Sequence, residues 1–108
     1  MRNMKRIPLV HPGEVMLEDF MKPLRITQSR LAKDIGVSPL RVSQIVRGKR
    51  SITADTAMRL ARYFGTSASI WMRIQACYDL EVAQGTLAKV ITREVKVLRP
   101  ASRERTRA

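Results

Sequence analysis

The sequence predicts an all-α fold, a five-helix bundle, on three observations. Apolar residues recur at intervals of three and four along most of the chain. Ser or Thr stands just before four of the five apolar runs, where a hydroxyl can accept from an orphan backbone N–H. Gly stands just after four of them. The chain has 108 residues, 44% hydrophobic and 28% charged, enough for one modest core and too few for a separate ligand-binding domain.

The first helix starts at His11-Pro12-Gly13-Glu14, with Pro in the first turn and Glu14 near the positive end of the helix dipole. Met16, Leu17, Phe20, Met21 and Leu24 follow at helical spacing, and Pro23 is expected to end the run. Thr27 caps a short second helix carrying Leu31, Ala32 and Ile35, which stops at Gly36. Ser38-Pro39 opens a third, with Val42, Ile45 and Val46 inward and Gly48 as terminator. Thr53 caps a fourth, lined by Ala57, Leu60, Ala61 and Phe64 before Gly65. Ser67 or Ser69 opens the fifth, which bears Ile70, Trp71, Ile74, Cys77, Tyr78 and Val82 and is expected to end near Gly85. Beyond it, Val95 and Val97 alternate with Glu94, Lys96 and Leu98, the pattern of a short terminal strand that Ile7-Pro8-Leu9-Val10 can partner. Residues 1–92 are therefore read as one domain, and 93–108 as a basic, disordered tail.

Catalysis and metal binding find little support. Cys77 is the only cysteine and His11 the only histidine, so no disulfide can close within the chain and a metal site lacks ligands. His11 reads as a helix cap or a hydrogen-bonded surface residue, Cys77 as a small buried hydrophobe, and the six Met as core filler. No cofactor and no small-molecule ligand is expected. No apolar run approaches the roughly 18 residues of a membrane span, and Ile7-Pro8-Leu9-Val10 is too short for a signal-peptide core, so a cytoplasmic location and no membrane contact are expected.

The formal net charge of +12 is unevenly spread. Residues 25–50 carry seven positive and one negative group, and residues 93–108 carry six positive and two negative, so these stretches hold +6 and +4. The first coincides with the second and third helices. There Ala32 is small where two steeply crossed helices meet, Gly36 suits a left-handed helix end, and Val37, Val42 and Ile45 hold the third helix on the second. This is the pattern of a helix-turn-helix, whose second helix enters the major groove of DNA. Pro39, Leu40, Arg41, Ser43, Gln44 and Arg47 are left outward. Gln44 suits adenine, Leu40 a thymine methyl, and Arg41 either guanine or phosphate. Ser38, Ser43, Arg47, Lys49 and Arg50 are assigned to phosphates, with Gln28, whose backbone N–H lies at a helix N-terminus.

Ile70, Trp71, Ile74, Cys77, Tyr78 and Val82 form more apolar face than one small core needs, and are assigned to a homodimer interface. Two copies would set recognition helices about 34 Å apart and so read a palindromic operator.

The chain resembles the HigA-type (VapI-like) antitoxins of the phage-repressor-like helix-turn-helix group, whose fold is that of the lambda repressor. The resemblance rests on His11-Pro12-Gly13-Glu14, on the helix-turn-helix with Gly48-Lys49-Arg50, on Ile52-Thr53-Ala54-Asp55-Thr56-Ala57-Met58-Arg59-Leu60-Ala61, on Phe64-Gly65-Thr66-Ser67 with Trp71, and on Gln75 and Tyr78-Asp79-Leu80. It covers about residues 4–85. It departs from the usual pattern at Ser69-Ile70-Trp71-Met72-Arg73, where an acidic residue and a Phe-Trp pair are common. The resemblance implies a non-enzymatic bacterial homodimer that represses its own operon and neutralises a RelE-like toxin that cleaves mRNA on the ribosome. A stand-alone sequence-specific repressor, or a basic protein binding nucleic acid without sequence readout, are the competing readings.

Overall fold

A computed structural model describes residues 10–99 as five helices. The first, α1, runs through Pro12–Val15, a wider turn over Met16–Met21, and Lys22–Leu24. Then come α2 (Gln28–Ile35), α3 (Pro39–Val46), α4 (Ala54–Phe64) and α5 (Ala68–Glu94). Each start has a side-chain cap. The His11 Nδ1 accepts from the Gly13 N–H at 2.8 Å. Thr27 accepts from Arg30 N–H at 3.1 Å, Ser38 from Arg41 N–H at 3.1 Å, Thr53 from Thr56 N–H at 3.5 Å, and Ser67, rather than Ser69, from Ile70 N–H at 3.2 Å.

Pro23 does not end α1, which continues to Leu24 before Arg25 turns left-handed at φ 57°. A proline ring inside an α-helix presses on the carbonyl four residues back and removes one hydrogen bond. The wider turn just ahead of Pro23, in which Lys22 N–H bonds the Leu17 carbonyl, makes room for it.

The core is formed by Met16, Met21, Leu31, Ala32, Val42, Ile45, Ile52, Ala57, Leu60 and Trp71, all but sealed from solvent, with Val15 and Ile35 at its edge. Met16 and Met21 thus fill core, whereas Met58 and Met72 are exposed. Trp71 was expected at a dimer surface but is fully buried within this chain. It donates Nε1–H to Thr66 Oγ1 at 2.8 Å, with the Phe20 ring 5.3 Å and the Phe64 ring 6.4 Å away. Trp71 reaches from α5 into the core that the four shorter helices share. Cys77, expected to be buried, is exposed, because it lies on the side of α5 turned from that core. Ile74 packs half-buried on the core, and Tyr78 meets His11 edge-on at 4.9 Å.

α5 does not stop near Gly85; it spans 27 residues and reaches Glu94, two residues past the boundary drawn at 92. A glycine inside a helix costs only about 1 kcal/mol relative to Ala. That is too little to stop a helix that resumes with Leu87, Ala88 and Ile91 and whose Thr86 and Thr92 hydroxyls bond the carbonyls of Val82 and Ala88. The molecule measures 60 × 28 × 26 Å, so the end of α5 projects past the bundle. No strand occurs among the described residues: 95–99 follow the helix unpaired, and Val10 belongs to no strand. Ile7, Pro8 and Leu9, the rest of the expected partner strand, and residues 100–108 of the tail lie outside the described residues.

The backbone of α1 sits directly on the end of α3. A Cβ built on Gly13 would lie 1.8 Å from the Ile45 carbonyl oxygen. Gln75, buried on α5, accepts from Ile52 N–H at 2.7 Å and donates to Asp79 at 2.9 Å, which ties the segment after α3 to the last helix.

Gly13→Ala should therefore destabilise the protein by roughly 1–3 kcal/mol or more in urea unfolding. Gly85→Ala, with nothing within 4 Å of the new methyl, should stabilise it by about 1 kcal/mol. Burial holds the His11 imidazole below its ordinary range, only partly offset by Asp79. The unfolded chain thus takes up the proton first, and stability should be full above about pH 6.5 and fall as pH drops through the lower folded value. In His11→Asn, which keeps a capping acceptor but does not titrate, that slope should flatten.

Candidate nucleic-acid interface

The helix-turn-helix is built by local chemistry. At the end of α2, Gly36 adopts φ 75°, and the N–H groups of Gly36 and Val37 both reach the Ala32 carbonyl at 3.0 Å. That closes the helix and reverses the chain within three residues, so Ser38 can cap α3 at once. Ala32 is buried where α2 and α3 meet, and Val42 and Ile45 are buried beneath α3. α3 thus has its inner face fixed and its outer face turned away from the core.

On that outer face Pro39 and Leu40 are exposed, Leu40 to 58%, while Ser43 and Gln44 are half-buried. Arg47, Lys49 and Arg50 are exposed at and just beyond the end of α3. Ser38 is exposed with its oxygen already accepting the capping N–H, which leaves its O–H to donate. Gln28 occupies the first position of α2; Thr27 satisfies the Arg30 N–H, and the N–H groups of Gln28 and Ser29, at a positive helix end, have no acceptor among the described residues. The ten residues assigned to DNA from the sequence therefore come from α2, the turn, α3 and the loop after it.

Three of them are less free than the sequence suggested. Arg50 donates Nε–H to Gln44 Oε1 at 2.8 Å. That engages the acceptor half of the amide and leaves its NH2 as the group to offer. Arg41 donates from Nη1 to Asp55 Oδ2 at 3.1 Å and to Thr56 Oγ1 at 3.4 Å.

Asp55 is a residue that sequence reasoning passed over. Its carboxylate, in the first turn of α4, also accepts from Arg59 Nε at 3.1 Å on both oxygens. Arg59 in turn donates Nη1–H to the Ile35 carbonyl at 2.8 Å and the Gly36 carbonyl at 3.4 Å. Hydrogen bonds from Arg59, then Arg41, hold the Asp55 carboxyl below the usual range. Asp34 is held low likewise, first by the Tyr63 hydroxyl and then by Arg30. The Asp55–Arg59 spacing of four was a visible signal; the reach from α4 to Arg41 was not.

The chain matches the helix-turn-helix family over residues 17–71. It is 49% identical to "Virulence-associated protein I" of Dichelobacter nodosus over 78 residues, 72% of each chain. It is 38% identical to "Antitoxin HigA-1" of Vibrio cholerae over 80 residues, 74% of each. Among solved structures it resembles the Pseudomonas aeruginosa antitoxin HigA with the higBA promoter, at TM-score 0.81 and 41% identity over 84% of this chain and 99% of that one. From the match, the relatives and the geometry of α2 and α3 together, the chain belongs to the helix-turn-helix family of HigA-type, VapI-like antitoxins.

Proposed function

We propose that this chain is the antitoxin of a bacterial toxin–antitoxin pair, a cytoplasmic homodimer without catalytic activity of its own. It binds a palindromic operator, represses its own operon, and neutralises a RelE-like mRNA-cleaving toxin. The observation that carries the DNA half is the capped α3, its outer face free and flanked by cations, in a chain 41% identical to an antitoxin solved with its promoter.

In this reading α2 lies across the phosphates, held by Gln28 and Ser29 backbone N–H groups, by the Ser38 hydroxyl and by Ser43, Arg47, Lys49 and Arg50. The first turns of α3 enter the major groove. Leu40 meets a thymine methyl, and Gln44 offers its NH2 to a base acceptor. With Oε1 held by Arg50, a single donated bond to a purine N7 or a thymine O4 fits Gln44 better than the two-point pairing with adenine. The basic tail beyond residue 99 adds sequence-independent attraction.

The dimer surface shifts from the sequence-based assignment. With Trp71 in the core and Ile74 and Tyr78 packed on the bundle, Ile70, Cys77 and Val82 remain exposed. The projecting part of α5 adds Leu80, Leu87 and Ile91, spaced seven and four apart and therefore along one side of the helix. We assign the side bearing Cys77, Leu80, Leu87 and Ile91 to a second copy of the chain. Ile70 lies at its edge and Val82 outside it.

Titration against a palindromic upstream duplex and a scrambled one should show ~10³-fold preference for the former at moderate salt. Gln44→Ala should cost on the order of 1–3 kcal/mol and relax preference at one base pair, while Lys49→Ala and deletion of residues 100–108 should weaken both duplexes alike. Equal binding of both duplexes by the intact protein would leave a non-specific nucleic-acid binder. Co-expression with the neighbouring reading frame should yield a stable complex that restores growth, and sedimentation should show a dimer that Leu87→Glu dissociates. A dimer that binds the palindrome but no neighbouring product would be a stand-alone repressor.

A further inference from the structure

We propose that Asp55, on α4 and outside the helix-turn-helix itself, determines how sharply this chain discriminates between DNA sequences, by holding Arg41 in one orientation in the first turn of α3. The proposal rests on the DNA-binding reading above and adds a residue that does not touch DNA.

The geometry forms a closed strap. The carbonyls of Ile35 and Gly36, at the turn, hold Arg59; Arg59 holds both oxygens of Asp55; Asp55 holds Nη1 of Arg41, with Thr56 Oγ1 beside it. The strap starts on the turn, passes through α4 and returns to the recognition helix. Arg41 is correspondingly drawn in, its side chain only 32% exposed, whereas Arg47 and Arg50 stand in solvent.

A guanidinium carries five N–H donors in a rigid plane. The strap holds one nitrogen at two acceptors, which restricts the plane, and leaves Nε and Nη2 as further donors. A plane fixed before binding can meet one base edge without an ordering cost, and a misplaced base then leaves it unmatched. An unrestrained Arg41 would swing to the nearest phosphate, which is the same on every sequence.

The test uses the full-length chain, a duplex selected by it from a random-sequence pool, and a scrambled duplex of equal composition. Asp55→Asn should bind the scrambled duplex more tightly, with a salt slope steeper by about 0.9 per protomer, about 1.8 for the dimer, as each Arg41 gains a phosphate. The ratio of selected to scrambled affinity should fall about ten-fold, and sequences reselected by the variant should lose preference at one base pair per half-site. Asp55→Glu, which keeps the charge, should recover most of the ratio. In an Arg41→Ala background, Asp55→Asn should leave the remaining base preference unchanged.

A merely structural Asp55 would lower the melting temperature and weaken both duplexes in parallel, which overturns the proposal. So does an unchanged ratio in Asp55→Asn, or a loss of ratio that persists without Arg41. If the wild-type chain selects no preferred sequence from the pool, the DNA-reading assignment itself falls, and this proposal with it.

Discussion

Three residues at the start of α1 seat the helix-turn-helix on the rest of the bundle. The Gly13 backbone rests on the Ile45 carbonyl at the end of the recognition helix, so close that no side chain fits between them. His11 fixes that segment by capping it and by meeting Tyr78 of α5 edge-on, and Pro12 starts the helix without wasting a donor. One short stretch therefore joins α1, α3 and α5. A surface helix of eight residues such as α3 is too short to be stable alone, and its place on the bundle comes from this seat and from Val42 and Ile45 beneath it.

With its inner face sealed and its end seated, α3 is free to carry polar and cationic groups outward. Those groups are partly arranged before any DNA arrives: Gln44 by Arg50, Arg41 by Asp55. Exposed ion pairs of this kind contribute little to stability. They do restrict long side chains that otherwise sample many rotamers. The same chain that concentrates +6 over residues 25–50 thus places Asp34 and Asp55 where they restrain cations.

Periodicity and caps were legible because they depend on neighbours three and four residues away. Thr27, Ser38, Thr53 and Ser67 cap the helices they were expected to cap, and Gly36, Gly48 and Gly65 close three of them. Gly85 misled because the same residue type terminates a helix only when the backbone turns left-handed there. With good helix formers on both sides, α5 runs straight through it. Trp71 misled for another reason: an apolar stripe on a terminal helix has two possible destinations, the chain's own core or a partner, and spacing cannot separate them.

The sequence by itself determined the all-α class, the helix starts, the helix-turn-helix and the concentration of charge on it. Each follows from short-range hydrogen bonding, steric preference and a count of ionic groups. Tertiary structure alone decided that Trp71 closes the core, that Gly13 must lack a side chain, and that Asp55 reaches Arg41. These depend on which surfaces meet across 14 to 51 residues of chain, the separations of Asp55 from Arg41 and Trp71 from Phe20. Packing density and the reach of a guanidinium choose among such contacts, and neither is written in the spacing of residue types.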